Sequence, residues 1–130
     1  MKDTNRRDLQ IALALVGASF LFVYPLMEFW PSGFAWSPRQ SEYEQMIAGL
    51  YATMGVFLLW ASRRPEAHTS LIWFTVWSSL VHGGVMAVQA IVDPLEHGHL
   101  LGDVPALFIA AAVLAPLALR GIEKTGKSAA

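Results

Sequence analysis

The sequence predicts an all-α integral membrane protein, a four-helix bundle running up, down, up and down, with both termini cytoplasmic. Three observations carry that expectation. Hydrophobic residues make up 55% of the 130 positions, mean hydropathy is +0.44, and only 15% of residues are charged. The charges cluster in short patches between long uncharged runs, whereas a soluble helix needs charge along its outer face. No period-2 alternation is present, so a membrane barrel is excluded. A formal net charge of −1 gives no basic excess for nucleic acid. The absence of cysteine excludes disulfides, thiolate metal sites and thiol nucleophiles.

Each span follows from a run of about 20 apolar residues, the length that crosses a bilayer core. Residues 9–27 are uncharged and give a first span over about 9–30. Lys2, Arg6 and Arg7 precede it as they would a signal peptide. The run is longer than a signal core and no Ala-x-Ala site follows, so the helix is expected to be retained. Residues 45–62 give a second span over about 43–62, with Ser41 and Glu44 spaced as a capping box. Pro65 suits the start of the third span, about 66–92, and Asp93-Pro94 stops it. The fourth, about 99–119, needs Asp103 in its first turns. Together residues 1–124 read as one domain, with 125–130 as a tail. Gly83-Gly84 costs helix stability and implies a close helix contact.

Orientation follows from the basic residues. Lys2, Arg6, Arg7, Arg63, Arg64, Arg120, Lys124 and Lys127 fall on one side and Arg39 alone on the other. Trp30, Trp36 and Tyr43 at one boundary, with Trp60 and Trp73 at the other, match interfacial aromatic belts.

The outer half holds the polar residues that invite chemistry. His82 lies near the middle of the third span, with Ser78 and Gln89 along the same helix face. A hydrogen bond to a neighbouring helix is the expected anchor for His82. Tyr24 and Glu28 on the first span, and Glu44 and Tyr51 on the second, lie at similar depth. These residues, with His97, His99 and Asp103, are expected to line an outward-facing polar cavity. The segment from Asp93 to Asp103 also holds Glu96, His97 and His99, so a divalent metal on His97, His99 and Asp103 is one expectation. Haem is disfavoured, because no second histidine lies at the depth of His82.

The runs Val81-His-Gly-Gly-Val-Met-Ala-Val-Gln89 and His97-Gly-His-Leu-Leu-Gly-Asp-Val-Pro-Ala-Leu107 resemble small four-span bacterial membrane proteins classed as a domain of unknown function. The resemblance implies a bacterial inner (cytoplasmic) membrane location and the four-span fold, and no reaction. No phosphate loop, nucleotide motif or activated nucleophile is present, which counts against an enzyme. A non-enzymatic accessory or structural membrane protein is the leading expectation. The alternative is a small-molecule, proton or divalent-metal binder using the cavity. Expected partners are membrane lipid and a homo-oligomer or larger membrane complex, not nucleic acid. Reporter fusions after Arg64 and after Ala130 are expected to read cytoplasmic and one at Gly98 to read external, and a periplasmic carboxyl terminus would overturn the orientation.

Overall fold

A computed structural model describes residues 3–128, with side chains described as far as Gly121. Among the described residues the regular structure is entirely helical. α1 (Asp3–Leu21) leads into α2 (Val23–Phe29) and a single turn, α3 (Pro31–Phe34). Then come α4 (Ser41–Ala61), α5 (Thr69–Val92) and α6 (Asp103–Ser128). Two 3-10 segments, Pro65–His68 and Pro94–Leu100, precede α5 and α6. The last helix thus continues past Thr125, where a tail is expected to begin. Residues 129–130 lie outside the described residues.

Two helical units, Pro65–Val92 and Pro94–Gly121, are long and apolar enough to cross a membrane. A third qualifies if α1 and α2, bent by 48°, form one span. The bend has a local cause. Pro25 has no N–H for the Leu21 carbonyl four residues back, and its ring pushes that carbonyl aside, so the helix breaks at Phe22. α4 is not among these units: its first turn, with Glu42 and Glu44, dilutes an otherwise apolar helix.

Helix starts obey the chemistry read from sequence, with one exception. Asp93 ends α5 and accepts from the Leu95 N–H at 3.0 Å, capping the following 3-10 segment. Pro65 opens a 3-10 turn that runs into α5. The Ser41/Glu44 capping box does not form. Glu44 instead accepts from Arg39 at 2.8 and 3.2 Å, and a charge-assisted pair outcompetes a neutral cap.

The half of the molecule that holds the start of α1, its inner half, is closed. Leu9 and Leu13 of α1, Leu58 of α4, Ile72 and Val76 of α5, and Leu114 of α6 form one buried cluster. In lipid such contacts hold through close packing rather than through water exclusion. α1 and α4 cross in close backbone contact at Gly17 and Gly55. A methyl on Gly17 would lie 2.8 Å from the Gly55 carbonyl oxygen, and one on Gly55 would lie 2.6 Å from that of Gly17. Gly83 meets α6, where an added methyl would sit 3.3 Å from Leu107 Cβ, while Gly84 faces open space. The close contact expected of the glycine pair therefore rests on Gly83 alone. At the inner end Arg6 pairs with Glu66 at 3.1 Å, and Gln10 donates to the Arg63 carbonyl at 3.2 Å.

Gly17→Val is expected to force α1 from α4 and to cost about 1–3 kcal/mol, whereas Gly84→Ala should be neutral or stabilising by up to about 1 kcal/mol. Thermal unfolding of both variants in detergent is the check, and equal effects would refute the crossing.

Candidate functional site

The outer half of the molecule is built on a buried imidazole. His99 is fully buried in the 3-10 segment, and Glu96 and Asp103 flank it at i−3 and i+4. Nδ1 lies 2.8 and 2.9 Å from the two Asp103 carboxylate oxygens. Nε2 lies 3.3 Å from Glu96 Oε2 and 3.3 Å from the Ala35 carbonyl oxygen. Every neighbour of the ring nitrogens is an acceptor, so satisfying them takes an N–H on each nitrogen or a proton on one carboxyl. The Ser37 N–H donates to Glu96 Oε1 at 2.7 Å, and Trp36 stacks on the His99 ring with centroids 4.2 Å apart. The turn of α3 lies so close over this segment that Gly98 and Gly102 have no room for a side chain: a Cβ would strike the Ser32 and Gly33 carbonyls.

Beneath this cap lies a cavity of about 520 Å³. Its walls are Val16 and Phe20 of α1, Leu26 and Met27 of α2, Ile47 of α4, Met86 of α5 and Leu107 of α6. The bend at Phe22 tilts α2 relative to α1, the helix that contributes Leu15, Val16, Ser19 and Phe20 to the cavity wall. Leu15, Ile109 and Val113 line the cavity and are also exposed, so its open side lies between α1 and α6. Polar groups gather at one end. The Tyr51 hydroxyl and Nδ1 of His82 share a hydrogen bond of 2.6 Å, and both residues line the cavity with Asp103. Phe20 meets Tyr51 edge to face at 5.0 Å, which fixes the phenol ring. A second hollow of about 350 Å³ lies outward, sharing Met27, Phe34, Trp36 and Ile47 with the first and adding Gln40, Tyr43 and Glu44.

The structure brings together only part of the expected cavity set. Tyr51, His82 and Asp103 line one space, and His82 has its bond from a neighbouring helix. Tyr24 is exposed. Glu28 and Glu44 both accept from Arg39, each at 2.8 Å, and line no part of the large cavity. That shared pair holds the Arg39 guanidinium firmly protonated. Ser78 turns back to donate to the Thr75 carbonyl at 3.2 Å. Gln89 is exposed although it shares a helix face with His82, because α4 does not pack along the outer part of α5. The metal set His97, His99 and Asp103 is not assembled: His97 is exposed and both His99 nitrogens are already engaged. Among the described residues no group of three His, Cys, Asp or Glu is placed to hold a metal ion.

Trp36 and Phe20 escaped the sequence reading, the first because its ring read as part of an interfacial belt. Glu96 was legible, since Glu96, His99 and Asp103 stand at the i, i+3, i+7 spacing of one helical face.

His99→Ala is expected to leave the buried Glu96 and the half-buried Asp103 carboxyls without their shared partner and to cost about 3–5 kcal/mol, while His97→Ala, at an exposed site, should stay within about 0.5 kcal/mol. Unfolding in detergent compares them directly, and a mild effect of His99→Ala would refute the clamp.

No curated protein and no solved structure matches the chain. A family model does match, over residues 3–129, so nearly the whole chain is accounted for by it. The chain belongs to that family, a family of unknown function, DUF6632.

Proposed function

We propose that the protein is a non-enzymatic, multi-pass protein of the bacterial cytoplasmic membrane that holds a small lipid-soluble molecule in the cavity between α1, α2, α4 and α6. The observation that carries this reading is the cavity itself: about 520 Å³, walled mostly by apolar side chains, open between α1 and α6, and bordered by Tyr51, His82 and Asp103 at one end. A molecule dissolved in the bilayer reaches such a site sideways, with its apolar part against Leu15, Val16 and Ile109 and its polar end at Tyr51 and His82.

Four crossings with both termini cytoplasmic suit this placement. α4 has 21 residues, about 31 Å of helix and so about the thickness of the hydrocarbon core. It carries exposed Met46, Leu50, Val56 and Phe57, which favour lipid as its surroundings. Arg6, Arg7, Arg63 and Arg64 gather at the end tied by the Arg6–Glu66 pair, as cytoplasmic basic residues do. Residues 1–124 then form one membrane domain.

Ala106 lines the cavity and is exposed at its open side, so a phenyl ring there would occupy the space without entering the closed inner core. Native mass spectrometry of protein purified in mild detergent should find a co-purifying small molecule on the wild type and at least about tenfold less on Ala106→Phe. Equal occupancy of both proteins would refute the cavity as the binding site. A wild type empty of any such molecule that assembles with other membrane subunits would favour an accessory role instead.

A further inference from the structure

Among the described residues one charged side chain borders the cavity, and it is an acid, Asp103. Its local charge is not balanced. Glu96 and Asp103 share a single imidazole, so with both carboxyls ionised and an N–H on each ring nitrogen the group still carries one net negative charge. Arg39, the basic residue of the outer side, is committed to Glu28 and Glu44, again one cation against two acids. The remaining outer acids, Glu42 and Asp93, deepen the imbalance. The potential at the outer end of the cavity therefore attracts cations and repels anions.

The cavity walls add a second preference. Phe20, Phe34, Trp36 and Tyr51 all border it, and aromatic ring faces attract a weakly hydrated cation. An anionic head would be buried beside Asp103 with no lysine or arginine at hand, an arrangement burial makes costly. A neutral head would leave the excess charge of the Glu96–His99–Asp103 group facing apolar walls.

We propose that the cavity takes a lipophilic monocation, an amphiphile with an ammonium-type head held near Asp103 and the aromatic rings and an apolar tail directed between α1 and α6. This specificity rests on the ligand-binding reading above. The test offers the full chain, in neutral detergent, equal concentrations of decyltrimethylammonium, 1-decanol and decanoate, with retained adducts counted by native mass spectrometry. The wild type should retain the cation at least about tenfold over either competitor. Asp103→Asn should lose most of that preference while still retaining decanol, and Ala106→Phe should lose all three. Retention of decanol equal to that of the cation by the wild type, or a cation preference that survives in Asp103→Asn, would overturn the monocation specificity and leave the cavity-binding reading standing. No retention of any probe by the wild type, or undiminished retention by Ala106→Phe, would overturn both. If Asp103→Asn does not fold, the wild-type competition alone still decides the matter.

Discussion

The outer architecture depends on one constraint: a buried imidazole must be satisfied at both nitrogens. His99 meets it with Asp103 on one side and with Glu96 and the Ala35 carbonyl on the other. Those contacts tie the loop after α3 to the 3-10 segment and the start of α6. Trp36 stacks on the ring and α3 lies over Gly98 and Gly102, so the tie, the ring stack and the backbone contact form one cap. The cap in turn supplies Phe34, Trp36 and Asp103 to the cavity beneath it. In a low-dielectric setting a group with these demands is costly when half satisfied, which makes the arrangement all-or-none.

The two halves of the molecule solve different problems. Inside, the helices close over a leucine-rich core, and α1 and α4 approach until their glycine backbones touch. Outside, the same helices separate, and the space between them is bounded by side chains rather than filled by them. Tyr51 is the joint between the halves. It packs against the inner cluster through Phe20 and reaches α5 through its hydroxyl. This phenol–imidazole bond joins α4 to α5 beyond the leucine-rich cluster that both helices share.

How much of this was legible in the sequence depends on whether a feature is local. The helical class, the stop at Asp93-Pro94 and the tight contact at Gly83 could be read, because each is set by neighbours along the chain. The pairing of Gly17 with Gly55 could not, since each glycine taken alone looks like any other in an apolar helix. Nor could the capture of Glu28 and Glu44 by Arg39, which drew two acids out of the expected cavity and removed a cap from α4. His82 and Gln89 share a helix face, yet only His82 lines the cavity: periodicity defines a line on one helix, and the tilt of the next helix decides how far that line is covered. The site was therefore half legible. Its polar end, with Tyr51, His82 and Asp103, came from depth and polarity, while its geometry came from a bend and a clamp that only the tertiary structure contains.

The break at Phe22 has a mechanical consequence. A continuous helix transmits a tilt along its whole length, whereas one that lacks the bond between residues 21 and 25 concentrates compliance at a single joint. α2 therefore leaves the axis of α1 at Phe22 and carries Val23, Leu26 and Met27 to the cavity wall, while the glycine crossing fixes α1 against α4. The wall that α2 supplies is thereby set by the joint and by the cap above it rather than by the crossing, so the shape of the cavity and the packing of the inner core answer to different residues.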